Sequence, residues 1–202
     1  MGKNIIIFVI LFLISLIFMN FISSDTLITS CTNLTSVNTI YSLQNNVSSD
    51  SYCMNITASN ITLNGNGYSI FYAQDLNGRG IEISQKENVT IKNIKLIMNK
   101  STSTSSPVIY SFNGTNLNIT NISTIIQGPT LSNAFNYGVN LDGTNNSIIS
   151  MSFINTTAQR SSAVVISPET NNNPLVSGFR IRDSRLWSSG TTSDTLKIDG
   201  SN

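Results

Sequence analysis

Asn60-Ile61-Thr62-Leu63, Asn88-Val89-Thr90-Ile91 and Asn116-Leu117-Asn118-Ile119 begin 28 residues apart and share one pattern: asparagine, apolar, polar, apolar. Such alternation is the period of a strand with one buried face. A looser copy starts at Asn146 with Ile149 in register, and a fifth reads Phe179-Arg180-Ile181-Arg182-Asp183 after an insertion from Pro168 to Pro174. Working outward, a second strand precedes each copy at a fixed offset. Gly80-Ile81-Glu82-Ile83 leads into Asn88 and Gly138-Val139-Asn140-Leu141 into Asn146, while Val108-Ile109-Tyr110 and Ala163-Val164-Val165-Ile166 fill the same place in their copies. A bend and a third apolar stretch follow, as in Ile94-Lys95-Leu96-Ile97, Ile122-Ser123-Thr124-Ile125 and Ser184-Arg185-Leu186-Trp187.

Self-similarity at this period marks a repeat architecture, in which each unit buries its apolar face against the next. With three short strands per repeat and no helical period after residue 24, the sequence predicts an all-β, right-handed parallel β-helix of about five coils of roughly 28 residues. Inward stacks would hold Ile61, Val89 and Leu117 on one side and Leu63, Ile91, Ile119 and Ile181 on another. Asn93 and Asn121 recur at the bends with Gly65 at the same phase. Both residue types tolerate a left-handed backbone, and stacked asparagines can hydrogen-bond along the axis, so Asn93 and Asn121 are read as a structural ladder. An up-and-down β-sandwich is the competing architecture, since strands 8–12 residues apart would also suit it. Asparagine abundance follows from strand starts and bends. The 52 serines and threonines are expected on outward positions that must be polar without charge.

Among 202 residues there are 11 Lys and Arg, 10 Asp and Glu and no histidine, for a net charge of +1. So small a basic surplus argues against nucleic acid as a partner. Without histidine, Ser-His-Asp and Cys-His catalysis and His-containing zinc sites are excluded within this chain.

Lys3 followed by the apolar run from Ile5 to Met19 matches a secretory signal; an uncleaved N-terminal anchor is the alternative for residues 1–24. Either places the remainder outside the cytoplasm, secreted or at the cell surface, with any membrane partner reached only through that segment. Two cysteines in an oxidising compartment leave a single intramolecular pairing, Cys31 with Cys53. Eleven Asn-x-Ser/Thr triplets, only modestly above what the composition produces, mark candidate glycosylation sites where the side chain is neither inward nor in a ladder. The expected organisation is a signal or anchor over 1–24, an N-terminal cap over 25–52 tied by the cysteines, and the β-helix over 53–202. Leu196-Lys197-Ile198-Asp199-Gly200-Ser201-Asn202 imitates Val139-Asn140-Leu141-Asp142-Gly143-Thr144-Asn145, so the chain is expected to be the N-terminal part of a longer β-helix.

Cys31, Tyr41-Ser42-Leu43, Cys53 and Ile56-Thr57-Ala58-Ser59-Asn60-Ile61-Thr62-Leu63-Asn64-Gly65-Asn66-Gly67-Tyr68-Ser69-Ile70 together resemble the opening of exported right-handed parallel β-helix repeat proteins, many of them archaeal. Asn88-Val89-Thr90-Ile91-Lys92-Asn93 is similar to that family's generic repeat, and the resemblance runs from about residue 31 to the end. One departure is Asn64, where the family commonly has Asp. The resemblance implies fold more than activity, because the pectate-lyase-like superfamily also holds NosD-like periplasmic proteins associated with copper maturation and adhesin-like surface proteins.

Carbohydrate-cleaving chemistry on this scaffold needs clustered carboxylates. The acidic residues after the leader form no close pair in sequence, and Asp142 and Asp199 sit in Asp-Gly turns. Copper would need soft ligands, yet Met54, Met98 and Met151 are scattered and read as core filler. No catalytic residue, metal or cofactor is therefore expected. The charge concentration is Arg180, Arg182 and Arg185. Arg180 and Arg182 alternate with apolar neighbours and point outward together, and with Trp187 they are candidate contacts for an anion or acidic glycan. The plainer reading is a solvated sheet face with Trp187 packed under the preceding loop. The expected function is a non-catalytic surface protein serving adhesion, glycan contact or envelope structure; the alternative is a polysaccharide lyase or glycoside hydrolase whose catalytic coils lie partly beyond residue 202.

Overall fold

A computed structural model describes residues 24–98, 105–127, 136–168 and 177–199. The expected leader, all but Ser24, and the insertion after Pro168 lie outside the described residues. The strands are β1 (Ser24–Ile28), β2 (Asn33–Leu34), β3 (Thr39–Leu43), β4 (Val47–Ser48), β5 (Met54–Ile56), β6 (Thr62–Asn64), β7 (Ser69–Phe71), β8 (Ile81–Ser84) and β9 (Thr90–Met98). They continue as β10 (Ile109–Phe112), β11 (Asn118–Ile126), β12 (Val139–Asp142), β13 (Ile148–Ser150), β14 (Phe153–Thr156), β15 (Val164–Ser167), β16 (Arg180–Arg182), β17 (Arg185–Ser188) and β18 (Leu196–Ile198).

Each strand pairs in parallel with its counterpart one coil along the chain, which makes the molecule a parallel β-solenoid and excludes the sandwich. One sheet follows the path β1-β3-β6-β9-β11-β13-β16 and a second β2-β5-β8-β10-β12-β15-β18, so each path is seven strands deep among the described residues. A further face is made of β4, β7, the second halves of β9 and β11, β14 and β17. It joins the first sheet because β9 and β11 run unbroken through the bend, where the sequence suggested two separate strands. Residues 25–52, expected as a cap, carry β1 to β4 and already pair within these sheets.

The 28-residue spacing belongs to the middle coils. Register steps on the first sheet run from Ile40 to Thr62, Thr62 to Thr90, Thr90 to Asn118, Asn118 to Ile148 and Ile148 to Arg180, lengthening along the chain, whereas on the second sheet the step from Val139 to Val164 is shorter than those on either side of it. Extra residues enter the loops, while the strand positions stay stacked in columns. Leu63, Ile91, Ile119, Ile149 and Ile181 form one such column and Ile81, Ile109, Val139 and Val164 another. Leu63, Ile91, Ile119 and Ile149 are at most 1% exposed, and each fully buried aliphatic side chain stabilises the fold by about 1.5–3 kcal/mol.

Hydroxyl residues do not keep to the outside. Ser106, Ser111, Thr124, Thr144, Thr156 and Ser161 are wholly buried. Most find partners on neighbouring backbone or coils: Thr144 Oγ1 donates to Ser111 Oγ at 2.9 Å and Ser161 Oγ to the Gln159 carbonyl at 3.0 Å. A hydroxyl is small enough to stack inside a coil and rotates to meet a nearby acceptor, so burial costs little once it is bonded.

Cys31 and Cys53 form a disulfide with Cα atoms 4.5 Å apart. Since Asn33 pairs with Asn55, the bridge links equivalent positions of adjacent coils and staples the N-terminal end of the stack. Closing that loop of 22 residues stabilises the fold by about 3 kcal/mol in the chain-entropy model.

Candidate functional site

Two asparagine columns shape the surface. Asn60, Asn88, Asn116 and Asn146 each stand just ahead of a strand of the first sheet, with φ of 58°, 55°, 59° and 50°. In this column Asn88 Nδ2 donates to Asn60 Oδ1 and Asn116 Nδ2 to Asn88 Oδ1, both at 2.9 Å. The sequence marked these as strand starts; the structure makes them a second ladder. At the bend Asn93 and Asn121 have φ of 55° and 51°, and Asn121 Nδ2 donates to Asn93 Oδ1 at 2.8 Å. Asn93 Nδ2 donates in turn to Asn64 Oδ1 at 3.1 Å, because the position below is Gly65. A Cβ at Gly65 would collide with the Asn93 carbonyl oxygen and the Ile94 side chain.

The bend ladder stops at the next coil, where the column holds Met151 and then Asp183, both with φ of 47°. Met54 and Met98 are core residues as expected, but Met151 is 61% exposed. Its place in the bend column, rather than its hydrophobicity, sets its direction, so it is not core filler.

Beside this column runs an open groove of about 900 Å³, to which successive coils contribute Asn93 to Lys95, Asn121 to Ser123, Met151 to Phe153, and Asp183 with Arg185. Lys95, Ser123, Phe153 and Arg185 stack in one outward column, and Phe153 is 39% exposed. Lys92, Thr120, Ser150 and Arg182 form the outward column on the other side of the bend. The surface thus offers amides, hydroxyls, one aromatic ring and cations in register.

Arg180 and Arg182 lie exposed on β16 and point outward together, whereas the exposed Trp187 lies past the bend on β17. None of the three lines the groove. Arg185, grouped with them by charge alone, is the residue that reaches the groove. Lys95 was missed, although a signal existed: Lys92-Asn93-Ile94-Lys95 and Arg182-Asp183-Ser184-Arg185 place basic residues at the same offsets around the bend.

A second, smaller groove of about 430 Å³ lies on the outer face of the other sheet, lined by Thr32, Asn33, Tyr52, Asn55, Glu82 and the disulfide. Arg79 forms an ion pair with Glu82, and its guanidinium sits 3.9 Å from the Tyr110 ring centroid and 6.0 Å from that of Tyr52. The Tyr110 hydroxyl donates to Asp142 Oδ2 at 3.4 Å. Burial, and then the negative charge of Asp142, raise the Tyr110 pKa above its ordinary value, with Arg79 opposing. Glu82 and Asn140 share a column as the sequence indicated, and Tyr110 stands between them. Asp142, read as a turn residue, is also the acceptor of this cluster. Among the described residues no three His, Cys, Asp or Glu side chains are grouped to hold a metal ion. No protein-family model matches the chain, and neither a curated protein nor a solved structure matches it.

Proposed function

We propose that the chain is an exported β-solenoid of the cell surface that makes non-catalytic contact with glycan or envelope material. The observation that carries this reading is the groove along the bend, to which successive coils bring amides at Asn93 and Asn121, hydroxyls at Ser123 and Ser152, and the exposed Phe153. Hydroxyl-rich ligands are held by such polar groups, with an aromatic ring against their CH faces. Parallel strands repeat at about 4.8 Å, so the groove presents a regular surface to an extended polymer. The apolar leader and the resemblance from about residue 31 onward to exported β-helix proteins support the location, with which the disulfide is consistent. That resemblance is also the ground for archaeal origin and for pectate-lyase-like or NosD-like kinship.

Polysaccharide cleavage is the second reading, favoured by the carboxylates Glu82 and Asp142 on one outer face. Two coils and two residues separate them, about 12 Å between backbone positions, with Tyr110 and Arg79 between. Arg79 holds Glu82 in an ion pair and the Tyr110 hydroxyl donates to Asp142, so both carboxylates are already engaged, which supports contact over turnover. Incubating the secreted full chain with a panel of surface polysaccharides tests both. Retention without new reducing ends or unsaturated products is the expected result. Product formation lost in Glu82→Gln or Asp142→Asn would establish the enzyme instead.

A further inference from the structure

Resting on the glycan-contact reading, we infer that the bend groove selects an anionic glycan, one carrying carboxylate groups along an extended chain. Lys92 and Lys95 straddle the bend on one coil, and Arg182 and Arg185 straddle it three coils later; Lys95 and Arg185 line the groove itself, and Lys92 and Arg182 stand in the column that flanks it. At the parallel-strand repeat the two basic pairs stand about 14 Å apart along the axis. Between them the same columns carry Thr120, Ser123, Ser150 and Phe153, all uncharged. Arg79 and Lys197 are held by Glu82 and Asp199, whereas these four cations take part in no ion pair among the described residues. Asp183 is the carboxylate in the bend column between Arg182 and Arg185, and it leaves the strip with a clear cationic surplus.

The arrangement fits a linear glycan whose acidic groups meet the basic pairs at either end while neutral sugar rests on Phe153 and the hydroxyls. Guanidinium and ammonium donors bind carboxylate through charge-assisted hydrogen bonds. A nucleic acid has a phosphate at every step and gains from continuous cations, which the uncharged middle coils do not offer.

Titration of the full chain with alginate oligomers, neutral glucan oligomers of equal length and a single-stranded oligonucleotide tests this. Alginate should bind in preference to glucan, more weakly as salt rises. Lys95→Gln/Arg185→Gln should weaken it about tenfold or more, the loss expected for two charge-assisted hydrogen bonds, with the thermal midpoint unchanged. Lys86→Gln, outside the groove, serves as the control and should leave binding intact. Equal binding of glucan and alginate would overturn anionic selection while leaving the glycan-contact reading in place, and binding of no glycan would overturn both. Tighter binding of the oligonucleotide, or alginate binding indifferent to the double variant, would also overturn the inference.

Discussion

Asparagine at the bend does two jobs that no other residue combines. It accepts a left-handed backbone at lower cost than most side chains, and its amide both donates and accepts along the axis. Replacing Asn121 by Ala should therefore cost about 1–2 kcal/mol, from the lost 2.8 Å hydrogen bond and the positive φ together, measured by urea denaturation. Asn121→Gly should recover the backbone part but not the bond. The converse substitution is more telling. Met151 occupies the next bend position, exposed and with φ of 47°, so Met151→Asn should extend the ladder and raise stability by about 1 kcal/mol. An unchanged or lower urea midpoint for Met151→Asn would mean that the ladder has no such continuation.

Within a coil, buried tyrosine couples stability to pH. Tyr72 is fully buried after β7, donates to the Ser106 carbonyl at 3.0 Å, and burial holds its pKa well above the ordinary 10.0. The folded state thus favours the neutral phenol. Its contribution is complete below pH 10.0, and above it the unfolded chain ionises first and stability falls as pH rises. Tyr72→Phe should lose about 1 kcal/mol near neutrality yet shift alkaline unfolding to higher pH, read by circular dichroism across a pH series. Tyr110 adds a smaller dependence of the same sign.

Strand positions were legible in the sequence because alternation repeats in each coil, and the columns of Leu63, Ile91 and Ile119 follow from it directly. The ladder through Asn93 and Asn121 was legible for the same reason. Loop lengths were not, since nothing in an apolar pattern penalises two extra residues outside the stack; hence the coils longer and shorter than 28. The site was legible only in part. Arg180, Arg182 and Arg185 stood out because they are neighbours in sequence, whereas Lys95 joins Arg185 only through a column crossing three coils. Buried hydroxyls such as Thr144 escaped notice because their partners also lie in other coils.

For the whole molecule, stacking makes the ends the weak points, and the disulfide guards one of them. Cys31→Ser/Cys53→Ser should lower stability by about 3 kcal/mol, checked by urea denaturation with and without reductant. Reductant should affect the parent chain and leave the variant unchanged.

Residues far apart in sequence form straight columns along a parallel solenoid, and both the core and the groove depend on those columns. Spin labels at Lys95→Cys paired in turn with Ser123→Cys, Phe153→Cys and Arg185→Cys read this directly. Separations should rise in equal steps, about 5, 10 and 14 Å at the backbone. Separations that fail to rise in that order, or a Lys95 to Arg185 distance far from three coil repeats, would contradict the stacking in columns.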